Sequence, residues 1–225
     1  MIAVTGSTGF IGSNLINHLL KEGISFVEFE GDILKINTYP KNDFSIIIHL
    51  ASLITHSTQW TNEDFYRVNV VGTRNLVNYY SKSKIIYIST TDVEKDNQTY
   101  YAKTKKEAES LVLQKKNNLV IRLPSVFGPE QKQDKLIPRL IKHYYYGEEC
   151  TVTNNNFSEY VFVDDVSKYI INNLDNFGLI RLNGIKISNY MLKDFISAIF
   201  SRKDIANLSK EEKFFFNRLK TCCPR

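Results

Sequence analysis

Tyr101 and Lys105 stand four residues apart in the stretch TYYAKTKKEAE, from Thr99 to Glu109. On a helix, residues at that spacing share a face, so a phenol and an ammonium would lie side by side. In a cleft, the ammonium would hold down the phenol's pKa and make it usable as an acid or a base. On an exposed helix the pair would mean little, and Lys105 with Glu109 would add an ordinary i,i+4 ion pair. What is built around the helix decides between the two.

A second group is made of glycines. TGSTGFIG sets Gly6, Gly9 and Gly12 between a short apolar stretch and an amphipathic one. Glycine there permits positive φ and lets the backbone come close to a ligand. The helix that follows would aim unpaired N–H groups and its positive end at the turn, which suits a pyrophosphate. A tight turn packed with small residues would use the same trio; its place after a strand and before a helix favours cofactor binding. A dinucleotide also needs an acid near the end of the second strand. FVEFEGDI offers Glu28, Glu30 and Asp32. Glu30 lies near the strand end and is preferred for the ribose, with Asp32 within reach of the adenine. Each is also what a solvated strand end looks like. No arginine follows directly to hold a 2′-phosphate, so NAD is favoured over NADP.

The elements that must position these residues alternate. IAVT reads as a strand, FIGSNLINHLLKEG as a helix ending at Gly23, and ISFVEFE and FSIIIHLA as strands. The last is continuously apolar, as a strand buried on both faces should be. A helix is expected from about Glu63 to Lys82, then the strand KIIYIST, the helix YAKTKKEAESLVLQKK and the strand NLVIRLP. Such alternation predicts an α/β fold, a doubly wound parallel sheet with right-handed crossovers. Residues 1–124 would form the dinucleotide-binding domain. Residues 125–225 would hold the remainder of the sheet and a small, trimmed C-terminal lobe on its carboxyl edge. In that region KLIPRLIKHYYY, DDVSKYIINNL and NYMLKDFISAIF read as helices, SEYVFV and GLIRLNG as strands. Asp164 and Asp165 read as helix caps.

Composition excludes several classes. The 225 residues are 43% hydrophobic and 24% charged, an ordinary globular balance. The net charge of +5 comes from scattered basic residues and not from a dense block, which argues against nucleic acid. SIIIHLA is far too short to cross a bilayer, and MIAVTGSTGF has neither a charged leader nor an apolar signal core. Cys150, Cys222 and Cys223 have no histidine near them, so no metal site is expected. They read as reduced thiols in a cytoplasmic protein, and the sequons at Asn97, Asn156 and Asn207 as chance matches.

From Met1 to about Phe200 the chain resembles the extended short-chain dehydrogenase/reductases, the NAD-dependent epimerase/dehydratases. The resemblance rests on TGSTGFIG, IHLAS, NVVGTRNLV, ISTTDV, YYAKTKKEAE, RLPSVFGP and EYVFVDDVSKYI, in that order. It implies a Rossmann fold, NAD as cofactor, and Tyr101 and Lys105 as the catalytic pair, with Thr90 supplying a hydroxyl. Lys105 would also bond the nicotinamide ribose. The resemblance further implies cofactor contacts from Gly6, Thr8, Gly9, Phe10, Ile11 and Gly12. Glu30, Asp32, Ile33, Leu50, Ala51 and Ser52 would add to these, with Asn69, Pro124 and Val126. Asn69 also reads as a residue holding the central helix, and His49 as a packing or backbone-bonding residue. His56 and Trp60 fall in a loop that would line the substrate site, although a lone loop tryptophan serves as often to cover apolar surface.

The substrate half departs from the family pattern. The crossover before FSIIIHLA and the loop from Val93 to Tyr101 are short, and the chain stops at Arg225 without closing helices. Ser125 stands where many members carry a substrate-contacting Asn, and Ser158 where nucleotide-sugar enzymes often carry an Arg. Lys135, Arg139 and Lys142 share one helical face that would serve the phosphates or simply be solvated. STTDV resembles the STDEV of sugar 4,6-dehydratases, but Thr91 replaces the acid that expels water. The expected activity is hydride exchange at a sugar carbinol or ketone, by a nucleotide-sugar epimerase or reductase, with a possible homodimer through the long central helices. The alternative is a non-catalytic dinucleotide-binding regulator or protein-interaction module, which would have no need of Thr90, Tyr101 and Lys105 together.

Overall fold

The computed structural model describes residues 1–54, 60–203 and 205–224; His56 lies outside them. In chain order the first elements are β1 (Ile2–Thr5), α1 (Phe10–Lys21), β2 (Phe26–Glu28), β3 (Ile46–His49), α2 (Asn62–Tyr66), α3 (Thr73–Tyr79), β4 (Lys84–Thr90), α4 (Tyr100–Leu113) and β5 (Leu119–Leu123). They are followed by β6 (Ser125–Phe127), α5 (Leu136–Tyr146), β7 (Phe157–Phe162), α6 (Val163–Asn172), β8 (Gly178–Arg181), β9 (Ile185–Ser188), α7 (Asn189–Ser201) and α8 (Lys210–Lys220).

The chain divides into two units. The first holds Met1–Leu123 and Val166–Leu182, the second Pro124–Asp165 and Asn183–Arg225. The first unit is built on a six-stranded sheet in the order β2-β1-β3-β4-β5-β8, every neighbouring pair parallel. Ala3, Ile47, Ile85, Tyr87 and Val120 bury one face of it, against Leu76 of α3 and Ala108 and Val112 of α4. The alternate residues Val4, Ile48, Ile86, Leu119 and Ile121 are equally buried. Both faces are therefore covered, which is why these strands lack an apolar–polar alternation. On α1 and α6 the Ser167 hydroxyl donates to Asn14 Oδ1 at 2.7 Å.

The second unit carries a three-stranded sheet, β6-β7-β9, with β6 parallel and β9 antiparallel to β7. Phe127, Leu140, Phe162, Ile187, Leu192, Phe195 and Phe215 form its core.

GLIRLNG supplies β8, an edge strand of the large sheet. Three expectations change. β2 is only Phe26–Glu28, so Glu30 lies past the strand's end. Asp164 and Asp165 sit in the first turn of α6, one and two residues inside Val163, and not at the residue before it. Asp165 instead meets Arg218 of α8 at 3.3 Å. The chain also has a terminal helix after all: α8 starts at a capping box of Ser209 and Glu212 and buries Phe215, Phe216 and Leu219. The crossover between β2 and β3 is trimmed as expected, and carries only a 3₁₀ turn at Ile36–Thr38.

Candidate active site

Gly6 has φ +67°, the left-handed region, and a Cβ there would lie 2.7 Å from the Ala51 nitrogen. Gly12 is tighter still: its Cβ would meet the Gly6 carbonyl oxygen at 2.1 Å. Gly12 is therefore a packing glycine that lets α1 close onto the turn. Gly9 differs, since its Cβ would meet only that same carbonyl, at 3.2 Å. Gly9 is the residue before α1, no side chain caps the helix, and its first turn holds no acid. Thr8 and Gly9 are exposed and Phe10 and Ile11 half-buried, so the positive end of a twelve-residue helix and its first-turn N–H groups lie at an exposed turn. These features fit a dinucleotide's pyrophosphate.

The loop after β3, with Leu50, Ala51 and Ser52, is fixed from two sides. Leu50 N donates to Thr5 O at 3.2 Å, and Leu53 N to Asn69 Oδ1 at 2.8 Å. A buried chain of hydrogen bonds runs beneath it. Ala51 N–H donates to Thr5 Oγ1 (3.2 Å), which pairs with His49 Nδ1 (2.7 Å). His49 Nε2 pairs with Thr73 Oγ1 (3.0 Å), which donates to the Asn69 carbonyl (2.7 Å). Because Thr73 gives its proton to Asn69, His49 must donate from Nε2 and accept at Nδ1. His49 thus bonds two side-chain hydroxyls and not backbone. Burial, with the Lys105 charge second, pushes its pKa down to about 3.

Asn69 lies on a π-helical turn, Arg67–Gly72, that interrupts the expected continuous helix. Its amide donates to Leu53 O (3.1 Å) and Thr104 Oγ1 (3.2 Å), so both protons are spent within the protein. Ile33 is buried, and its Cδ1 sits 2.7 Å from where a Cβ on Gly72 would lie. Of the two acids, Asp32 caps its own turn, its Oδ1 accepting from Leu34 N at 2.9 Å and its Oδ2 lying 3.6 Å from Lys35. Glu30 is exposed.

Thr90 ends β4, and its hydroxyl accepts from Asp92 N at 3.1 Å, capping the short turn Thr91–Glu94. α4 opens at Tyr100 behind the cap Thr99. Lys105 is buried, and its Nζ donates to Ile88 O at 2.7 Å, two residues before Thr90 on the strand. That bond docks the Tyr101–Lys105 face of α4 at the end of β4. Burial lowers the Lys105 pKa to about 7, with the Glu109 charge opposing.

Two expectations about this pair are corrected. Glu109 does not pair with Lys105: Arg122 of β5 holds its carboxylate at 3.0 and 2.7 Å. The Tyr101 phenol is not held down; burial and then the Asp92 carboxylate push its pKa well above the ordinary value. Asp92 is shared with Lys95, 2.5 Å away.

Sequence reasoning missed the network behind this helix. Glu94 takes Arg122 on one oxygen and Arg181 of β8 on the other, each at 3.2 Å. Four charged side chains thereby tie α4, the turn after β4 and two neighbouring strands together. The signal available was an arginine inside each of two otherwise apolar strands.

The remaining site residues belong to the second unit. Pro124 is buried just before β6, Ser125 is exposed on it and Val126 half-buried. Ser158 is half-buried on β7. Lys135 precedes α5, Arg139 is exposed and Lys142 half-buried along it. Trp60 is exposed, in the first unit just before α2.

A parallel sheet with a glycine turn at its first strand, and a Tyr-x-x-x-Lys helix docked on its fourth, has the doubly wound architecture of dinucleotide-binding folds. The chain belongs to the NAD dependent epimerase/dehydratase family, whose model matches residues 2–179. It is 28% identical to a dTDP-D-glucose 4,6-dehydratase of Dictyostelium discoideum, over 73% of this chain and 53% of that protein. It is 26% identical to a CDP-abequose synthase of Salmonella typhimurium, over 78% of this chain and 70% of that one. The chain thus spans about half the length of the first of these relatives. Among solved structures, MoeE5 in complex with UDP-glucose and NAD superposes with a TM-score of 0.81 at 20% identity, over 98% of this chain and 96% of that one. A UDP-glucose 4-epimerase of Thermotoga maritima with UDP-glucose gives 0.81 at 18%, with the same shares. At those identities the superpositions establish the fold. Among the described residues no helix is long and apolar enough to cross a membrane, and no cluster of His, Cys, Asp or Glu suits a metal.

Proposed function

We propose that this chain is an NAD-dependent enzyme that moves a hydride at a carbinol or ketone carbon of a nucleotide-linked sugar. The observation that supports the reading is the hydrogen bond from Lys105, one turn from Tyr101 on α4, to Ile88 O, two residues before Thr90 on β4. NAD, when bound, supplies the hydride acceptor or donor. The α1 N-terminus and Gly9 would hold its pyrophosphate, Glu30 its adenosine ribose, and Lys105 its nicotinamide ribose. Thr90 orients the reacting sugar oxygen. Tyr101 Oη exchanges a proton with that oxygen.

With its pKa raised, the phenol is protonated at neutral pH. In that state it can give a proton to a ketone oxygen, and once ionised it can take one from a carbinol, so both directions of hydride exchange use it. Elimination of water is disfavoured, because Thr91 is too weak an acid to protonate a departing hydroxide. The basic face of Lys135, Arg139 and Lys142 would hold the substrate's phosphates by charge-assisted hydrogen bonds.

Three free cysteines, with Cys222 and Cys223 pushed up to about 12 and 11 by burial, support a cytoplasmic setting. A homodimer through α3 and α4 would bring Arg74, Lys103, Lys106 and Glu107 into its interface; light scattering on the purified chain decides it.

The test is turnover of NAD(H) on a panel of nucleotide sugars and their 4-keto forms, with products identified by mass. Reduction or epimerisation is expected, and Arg139→Ala should raise KM for the nucleotide sugar without altering NAD binding. Accumulation of a 4-keto-6-deoxy sugar would overturn the reaction class, and absence of turnover with NAD bound would favour a regulator.

A further inference from the structure

Lys105 is buried, and among the described residues no carboxylate pairs with its Nζ. Its Nζ donates to Ile88 O, and Glu109 one turn along is held by Arg122 through both oxygens. The groups that face it are otherwise uncharged or already paired. From β3 comes His49, neutral; from the helix packed beside α4 come Asn69 and Thr73; on α4 itself stands the protonated Tyr101. In the turn after β4, Asp92 pairs with Lys95 and Glu94 with Arg122 and Arg181. On the outer side of α4, Arg74 and the Tyr66 hydroxyl meet Glu107.

What lies against the ammonium is an aromatic face. Lys105 Nζ sits 4.1 Å from the centroid of the Tyr87 ring. Tyr87 is on β4, 1% exposed, and packed in the core beneath α4. Its hydroxyl lies beside that of Thr73, which donates to the Asn69 carbonyl. A ring quadrupole attracts a cation most where water is excluded. The ring face, not the hydroxyl, is what meets the ammonium.

We propose that Tyr87 is a positioning residue whose ring face stands in for a counter-ion, favouring the charged form of Lys105 and seating it one turn from Tyr101. Its bearing on catalysis rests on the reading of Lys105 given under Proposed function; the charge state it controls does not.

The experiment is therefore done on the full chain without cofactor or substrate. Lysine labelled with ¹³C at Cε is titrated by NMR, and the Lys105 signal is assigned by its loss in Lys105→Met. The variants are Tyr87→Phe, Tyr87→Leu and the parent with 3,4,5-trifluorophenylalanine at position 87. Fluorination drains the ring's negative face while keeping its shape. The Lys105 midpoint should be nearly unchanged in Tyr87→Phe and fall by about one pH unit with the fluorinated ring. Tyr87→Leu should lower it at least as far. A merely structural ring would titrate alike with and without fluorine, and equal midpoints for the phenyl and trifluorophenyl forms overturn the proposal. If Tyr87→Leu does not fold, the fluorinated form decides alone. Failure to turn over any nucleotide sugar would sink the enzymatic reading and leave this titration standing.

Discussion

Tyr101 and His49 show how burial sets the chemistry of single residues here. Tyr101→Phe removes only the hydroxyl. Turnover should fall by at least ~10², the scale of one general acid or base, while NAD affinity by titration stays near the parent's. Full activity in that variant would remove Tyr101 from the mechanism. His49 must stay neutral to accept from Thr5 and donate to Thr73. Its folded pKa, about 3, lies below its ordinary 6.5, so the unfolded chain binds the proton first. The stability it contributes is complete above pH 6.5 and is lost progressively as pH falls toward 3. His49→Gln should cost about 1–3 kcal/mol at pH 7, the scale of buried groups left unpaired. Urea midpoints measured between pH 7 and pH 4 should fall less steeply in the variant; parallel slopes would show that His49 does not titrate on unfolding. The sequence marked both residues through position, Tyr101 by its spacing to Lys105 and His49 by ending a strand. It did not show the Thr5–His49–Thr73 chain, because those partners are 44 and 24 residues away from the histidine. The Tyr101 shift was likewise invisible: it depends on Asp92 and on burial, and neither can be read from helical spacing.

The glycine turn separates two jobs that a motif writes as one. Gly12 faces the Gly6 carbonyl so closely that even a methyl group cannot enter, whereas a Cβ on Gly9 would meet the same oxygen at 3.2 Å, which a shift of a few tenths of an ångström relieves. Gly12→Ala should therefore damage the β1–α1 packing itself, by about 1–3 kcal/mol or more, and lower the melting temperature. Gly9→Val should fold as the parent does and lose at least ~10-fold in NAD affinity, about 1.4 kcal/mol. Calorimetry of both variants, with and without NAD, checks the division. Equal NAD binding in Gly9→Val would remove the cofactor from this turn. Strands and helices of the first unit were legible because two-sided burial writes continuous apolar runs. The π-turn at Arg67–Gly72 was not, since nothing in NVVG distinguishes five-residue from four-residue hydrogen bonding. Gly72 is there because Ile33 packs against it, a contact set by the fold and not by local preference. Asp32 is a similar case: its spacing after β2 suits a ligand, yet its carboxylate caps its own turn.

At the scale of the whole molecule, the two units carry separate apolar cores, one under α3 and α4 and one around Phe127 and Phe215. The second was the harder to read. KEEKFFFNRLK looks like a charged tail, and the family resemblance stops near Phe200, before it. Yet Phe215, Phe216 and Leu219 fall on one helical face, and Ser209 with Glu212 forms a capping box three residues apart. Phe215 is 1% exposed, its ring 4.9 Å from Phe127, 5.8 Å from Tyr160 and 6.1 Å from Phe195. All three lie in the second unit, so Phe215→Ala removes packing from the core of that unit. Removing a buried phenylalanine costs about 3–5 kcal/mol, a large part of what holds a small domain together. Trp60, the one tryptophan of the chain, belongs to the first unit. Its fluorescence reports on that unit, whereas far-ultraviolet circular dichroism reports on both. In the parent the two urea curves are compared as a baseline. In Phe215→Ala, the dichroism should begin to fall at lower urea than the tryptophan signal, because the smaller core gives way first. Coincident curves shifted together would mean that the two cores unfold as one cooperative body.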